Sequence, residues 1–81
     1  MGILRVLSSQ GDTVLTWDKE KVEAGDPGAL EAIREAERII REAQAKGGVA
    51  FRVKPGQPAE RIEDFDKSAE EIVVIPRIVG G

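Results

Sequence analysis

The segment that most constrains the fold is a run of four β-branched apolar residues at positions 72–75, followed directly by Pro76. A short, continuous apolar run of this kind is typical of a β-strand that is covered on both faces, in the middle of a sheet. Proline has no backbone N–H to donate to a neighbouring strand, so strand pairing should stop at Pro76. The sequence therefore predicts a central strand that ends at residue 75 and closes a domain of residues 1–75.

The residues after this strand predict a flexible tail over positions 76–81. The tail consists of Pro76, Arg77, Ile78, Val79, Gly80 and Gly81. Because glycine has no side chain and the least restricted backbone, a chain end of two glycines can enter a channel that is too narrow for any other residue. The apolar residues of the tail have no packing role inside the domain, and an extended segment can add to a partner's surface. We expect the tail to bind a partner through residues 76–79.

Composition excludes several classes of function. The chain of 81 residues has room for one domain with one small core, and it contains neither cysteine nor histidine. Disulfides, zinc–thiolate sites and thiol nucleophiles are therefore ruled out, and so is the commonest general base. The net charge of −3, with acids and bases interspersed, is a poor match for nucleic acid.

No apolar run approaches the roughly 20 residues needed to cross a bilayer, and the first residues lack the pattern of a signal peptide. We expect a cytoplasmic protein without a nucleic-acid or membrane partner. The acidic residues between positions 64 and 71 do not match a calcium-binding loop, and the glycine pairs lack the lysine and spacing of a phosphate-binding loop. The sequence predicts no metal site, no cofactor and no enzymatic activity of its own.

The first part of the chain predicts a β-hairpin. Residues 3–8 and 13–17 are apolar or β-branched, and turn-forming residues separate them. On the second strand, Leu15 and Trp17 should reach the core. The first strand has apolar residues on both faces, and one helix can cover only one of them. The other face is either a docking surface or is wrapped by loops.

The middle of the chain predicts one long helix. Residues 18–25 are charged and irregular, which indicates a loop. Asp26 and Pro27 suit the cap and the first turn of a helix, and apolar residues recur every three or four positions from residue 28 to residue 46. Gly47 and Gly48 then suit a left-handed helix end.

The remaining strands complete an α+β fold. Residues 49–53 predict a third strand, with Val49, Phe51 and Val53 pointing inward. Residues 61–65 form either a short edge strand or an irregular turn. The most apolar strand, the last one, belongs in the middle of the sheet beside the first. The predicted order is ββαβ(β)β, a mixed sheet of four or five strands with one helix packed across it.

This order of elements resembles the β-grasp, ubiquitin-like family, and the ending of the chain strengthens the resemblance. A final strand, Pro76, and a short step to Gly80 and Gly81 are similar to the endings of bacterial ubiquitin-like modifiers and of the sulfur carriers of thiamine and molybdopterin synthesis. The departures are a long helix, a long acidic loop at residues 18–25, and a tail with a single arginine, Arg77.

The resemblance implies a substrate for other enzymes. An E1-like enzyme would adenylate the carboxylate of Gly81, which reaches ATP through a narrow channel because Gly80 and Gly81 have no side chains. A ubiquitin-like modifier would then be joined to an amine of a target protein, with an E2-like enzyme and a JAB-type peptidase as further candidate partners. A sulfur carrier would instead form a thiocarboxylate at Gly81. A β-grasp domain that binds partners without being conjugated is the third alternative.

Overall fold

The computed structural model describes residues 1–8 and 11–76. These residues form an α+β structure with a mixed sheet of five strands and one main helix, which confirms the predicted α+β class and the mixed sheet. The elements are β1 (Gly2–Val6), β2 (Thr13–Trp17), α1 (Lys19–Glu23), α2 (Pro27–Ala45), β3 (Val49–Val53), β4 (Glu60–Ile62) and β5 (Glu71–Ile75).

The last strand lies in the middle of the sheet, as the sequence predicts. The strand order is β2-β1-β5-β3-β4. Strand β5 runs parallel to β1 and antiparallel to β3, while the outer strands β2 and β4 are antiparallel to their neighbours. Residues 60–62 form an edge strand rather than an irregular turn, and β5 ends at Ile75, immediately before Pro76.

Helix α2 begins and ends where the capping residues predict. A carboxylate oxygen of Asp26 accepts a hydrogen bond from the backbone N–H of Ala29 at 3.0 Å, with Pro27 in the first turn. At the other end, Gly47 has a φ of +89°, a conformation that glycine adopts without strain. The buried side of α2 contains Ala29, Ala36 and Ile40, and these small or branched residues place the helix directly over the sheet.

The core lies between α2 and one face of the sheet. Leu4, Ile72 and Val74 are its largest completely buried side chains. In the register of the central strands, Leu4 lies opposite Ile72 and also opposite Leu15 of β2. Leu15 packs against the core, as predicted for the hairpin.

Trp17 is 2% exposed, which confirms that the hairpin directs it into the core. It lies opposite Gly2, where a Cβ atom would come within 2.0 Å of the indole ring. The indole Nε1 donates a hydrogen bond to the carbonyl of Lys67 at 3.0 Å, and the ring meets Phe65 edge to face with a centroid separation of 5.0 Å. Gly2 is therefore required by the close approach of the tryptophan ring.

The predicted loop at residues 18–25 is wrong over part of its length. Residues 19–23 form the short helix α1, because Asp18 caps it: its Oδ1 accepts from the N–H of Glu20 at 2.9 Å and from that of Lys21 at 3.3 Å. Val22, the one strongly apolar residue of this helix, is buried in the core. The fold thus has a second helix that the apolar pattern was too short to indicate.

The predicted inward face of β3 is also wrong. Ala50 is 1% exposed and faces the core, whereas Val49, Phe51 and Val53 lie on the opposite face and are half-buried. The pairing explains this, because Ala50 lies opposite Val74, which already faces α2. The side chains of adjacent paired residues point to the same side of a sheet.

Candidate functional site

The site predicted from the sequence begins where β5 ends. Val74 accepts a hydrogen bond through its carbonyl from the N–H of Leu7 at 3.0 Å, and Ile75 pairs with Val49. Pro76 follows, half-buried, as the last residue that the structure describes. The other predicted site residues, Arg77, Ile78, Val79, Gly80 and Gly81, lie outside the described residues.

The root of the predicted tail packs against the end of helix α2 through Gly48. A Cβ atom at this position would lie 2.8 Å from the carbonyl oxygen of Ile75 and 3.1 Å from the Cα of Pro76. The backbone N–H of Gly48 donates to the carbonyl of Ala43 at 2.7 Å, which ties the turn to the last part of the helix. Gly48 therefore allows the helix end and the strand end to approach closely, a role that the sequence analysis did not assign to it.

A charged cluster that the sequence analysis missed holds the loop before β5. Arg52 donates from Nη1 to Oδ2 of Asp66 at 2.6 Å, and its Nη2 contacts the carboxylate of Glu60. Oδ1 of Asp66 accepts from the hydroxyl of Ser68 at 2.6 Å and from its backbone N–H at 2.9 Å. The available signal was an Asp two residues before a Ser, a pattern typical of a turn closed by a carboxylate.

These contacts favour the charged forms of both Asp66 and Arg52. The hydrogen bond from the Ser68 hydroxyl, together with the bond from Arg52, lowers the pKa of the Asp66 carboxyl below its ordinary value. Hydrogen bonds to Glu60 and Asp66 raise the pKa of the Arg52 guanidinium. The ionised cluster stabilises the loop that carries Phe65 to the indole ring, so its role is structural.

The second candidate region is the face of the sheet opposite α2, which we call the open face. Alternation along the strands places on it Ile3, Arg5, Val14, Thr16, Val49, Phe51, Val53, Arg61, Glu71, Val73 and Ile75. Val14 is 53% exposed and Ile75 is 36% exposed. Both described helices pack on the other side, where they contribute to the core. Of the two alternatives for the second apolar face, these exposures favour a surface that is left uncovered.

The described residues contain neither a cluster of metal ligands nor a helix that could span a membrane. Within residues 1–8 and 11–76, no group of three or more acidic, histidine or cysteine side chains could hold a metal ion. In the same part of the chain, neither helix has the length and apolar character needed to span a membrane.

Comparison with known proteins adds no relative: no family model, no curated protein and no solved structure matches this chain.

Proposed function

We propose that this protein is a ubiquitin-like modifier with a β-grasp fold, whose Gly81 carboxylate is adenylated by an E1-like enzyme and joined to amines of target proteins. The observation that carries the proposal is the position of β5. It is the central strand, parallel to β1, and it ends at Ile75, directly before Pro76 and a sequence of Arg-Ile-Val-Gly-Gly. A β-grasp modifier requires this arrangement, because its last strand leads straight from the middle of the sheet into the reactive tail.

The chemistry of the proposal needs only a carboxylate from this chain. A carboxylate oxygen of Gly81 attacks the α-phosphorus of ATP, an O–P bond forms, and pyrophosphate leaves. The resulting acyl-adenylate is attacked at its carbonyl carbon by a nucleophile of the partner enzyme or target, and AMP departs with the electron pair of the broken bond. The E1-like partner supplies the catalytic residues and the metal ion that accompanies ATP.

The scaffold contributes rigidity at the root of the tail. Ile75 is held by its pairing with Val49, and Gly48 packs against Ile75 and Pro76 without room for a side chain. A fixed root limits the positions that a tail of five further residues can reach, so it reduces the entropy that is lost when the tail enters a partner's channel.

The test is to express the chain with an N-terminal affinity tag in its source organism and to purify it under denaturing conditions. Met1 is 76% exposed, so a tag there does not disturb the core. Trypsin cuts after Arg77, so each conjugated lysine would carry an Ile-Val-Gly-Gly remnant that mass spectrometry identifies. A sulfur carrier would show no such remnant, and its intact mass would show one sulfur in place of one oxygen.

Two variants are compared with the wild type. One lacks Gly81, and the matched control is Gly56→Ala, in the turn at residues 54–57. Deletion of Gly81 should abolish every conjugate and leave the circular dichroism spectrum unchanged. Gly56 has a φ of +73° and open space around it, so alanine there strains the turn without touching the tail. Conjugates that persist without Gly81 would contradict conjugation through the Gly81 carboxylate. A wild-type chain with neither conjugates nor a thiocarboxylate would contradict both the modifier and the sulfur carrier, and would leave the interaction domain as the remaining alternative.

A further inference from the structure

Four residues at the centre of the open face form a small rectangle. They belong to the two central parallel strands, with Ile3 opposite Glu71 and Arg5 opposite Val73. The two charged residues therefore lie on one diagonal of the rectangle, and the two apolar residues lie on the other. Neighbouring strands are about 4.8 Å apart, so all four side chains lie within reach of one partner molecule.

The two charges of this rectangle have no partner among the described residues. Arg5 and Glu71 form no ion pair and no side-chain hydrogen bond with residues 1–8 or 11–76, and the Nε atom of Arg5 is buried without an acceptor. By contrast, Arg38 on helix α2 contacts two glutamates. The protein itself covers the Nε atom, so a carboxylate from another molecule can reach the guanidinium only through its Nη nitrogens. Such a charge-assisted contact would give Arg5 the partner that it lacks within the described residues.

The arrangement is self-complementary. A two-fold axis that lies along the diagonal from Ile3 to Val73 brings the position of Arg5 to within about 3 Å of that of Glu71, since the rectangle measures about 4.8 Å across the strands and about 6.6 Å along them. When a second copy is placed face to face on this axis, each Arg5 meets the partner's Glu71, while Ile3 and Val73 each meet their own counterparts. This is the pattern of an isologous interface, in which residue i contacts residue j and j contacts i.

We propose that the open face is the interface of a symmetric homodimer, with reciprocal Arg5–Glu71 ion pairs at its centre. Apolar side chains surround these pairs and exclude water from them: Val14, Val49, Phe51, Val53 and Ile75. A face of five strands measures about 19 Å by 17 Å. Because this is smaller than a standard interface of about 800 Å² per partner, the dimer is a weak one that forms at high protein concentration.

The experiment is sedimentation equilibrium on the full chain at concentrations from about 10 μM to 1 mM, the range in which weak association is measured. The wild-type chain should shift from monomer to dimer over this range. Arg5→Glu leaves two acidic residues on the diagonal, and Glu71→Arg leaves two basic ones, so each variant alone should lose at least about tenfold in association. An equimolar mixture of the two variants restores every opposite-charge contact and should form a heterodimer as tightly as the wild-type dimer.

The controls separate this interface from a general effect of charge. Arg34→Glu and Glu31→Arg make the same charge changes at exposed positions of helix α2, and they should leave the association unchanged. Trp17 fluorescence and circular dichroism report whether each variant is folded. If the charge variants fail to fold, concentration-dependent amide shifts of the wild-type chain by NMR provide the second test: residues of β1 and β5 should shift, and the solvent side of α2 should not.

Three results would overturn the proposal. The first is a wild-type chain that remains monomeric at about 1 mM, because the open face would then bind a different partner or none. A mixture of the two charge variants that fails to dimerise would contradict the two-fold arrangement. If Arg34→Glu weakens the association as much as Arg5→Glu does, the contact lies elsewhere than on the open face. The contacts proposed for this interface involve only residues between 3 and 75, so a chain that lacks Gly81 should dimerise like the wild type, whatever the outcome for conjugation.

Discussion

The two faces of the sheet are both rich in branched apolar residues, yet they differ in what covers them. On the face under α2, Leu4, Ile72 and Val74 are completely buried, whereas Ile3 and Val73 on the open face are only half-buried. The comparison shows that apolar character alone does not decide which face becomes the core. The single long helix decides it, and the face that it leaves uncovered keeps an apolar surface for association.

The largest difference between the faces should appear in truncations of neighbouring residues on β1. Leu4→Ala removes a completely buried side chain and should lower the free energy of unfolding by about 2–5 kcal/mol. Ile3→Ala, one position away on the open face, should cost about 1 kcal/mol, because its side chain is partly in water before the change. Urea unfolding followed by Trp17 fluorescence measures both. Equal costs at dilute concentration would show that the open face is covered in the monomer.

A steric prediction tests the covered face at its edge. Gly2→Ala places a Cβ atom where the indole ring of Trp17 lies, so either the ring or the strand must move, and we expect a loss of about 1–3 kcal/mol. Trp17→Phe removes the indole atoms that would clash. The same Gly2→Ala change should therefore cost less in the Trp17→Phe background, a coupling that thermal unfolding followed by circular dichroism would detect. Additive effects would contradict the contact.

The charged cluster at the border of the covered face predicts a dependence on pH. The pKa of Asp66 is lowered from its ordinary value of 3.8 in the folded chain, so its contribution to stability is present above that value. The contribution is lost as the pH falls below 3.8 and through the folded pKa, where protonation breaks the bonds to Ser68 and Arg52.

Asp66→Asn should remove about 1–2 kcal/mol at neutral pH and should reduce the loss of stability in acid. Asp64→Asn is the matched control, because this residue is exposed, and its substitution should change stability by less than about 0.5 kcal/mol. Urea unfolding at several pH values between neutral and acid compares the two variants. Parallel pH profiles for Asp66→Asn and the wild type would contradict the role assigned to the cluster.

The smallest effect is expected on the open face itself. Val14→Thr exchanges one β-branched residue for another at a position that is 53% exposed, and it should change the free energy of unfolding by less than about 0.5 kcal/mol. Chemical unfolding at low protein concentration checks this. A larger loss would mean that Val14 is shielded from water in the monomer.

Much of the fold could be predicted from local patterns. The hairpin, the capped helix and the central position of the last strand each depend on residues close together in sequence, such as Asp26 with Pro27, or residues 72–75 with Pro76. The face of β3 could not be predicted in this way. Its alternation was recognised, but its phase is set by pairing with Val74 on a strand more than twenty residues later.

For the candidate site, the sequence predicted the tail but not the contacts that surround its root. The tail was read from its own residues, and its final five lie outside the described part of the chain. The roles of Gly48 and Asp66 depend on contacts with residues distant in sequence, Ile75 and Arg52, which composition and spacing cannot reveal. Helix α1 was missed because a single buried residue, Val22, gives no periodic signal.

The central position of β5 has a consequence for synthesis on the ribosome. Strands β1 and β3 both depend on the same late segment for pairing, so the sheet cannot close until Ile75 has emerged from the exit tunnel. Until then, the nascent chain can form the hairpin and α2, but Leu4 lacks Ile72 as its neighbour. Folding is therefore delayed until nearly the whole domain has been translated, and a ribosome that stalls before residue 72 would release a chain with exposed apolar surface, a ready substrate for proteolysis.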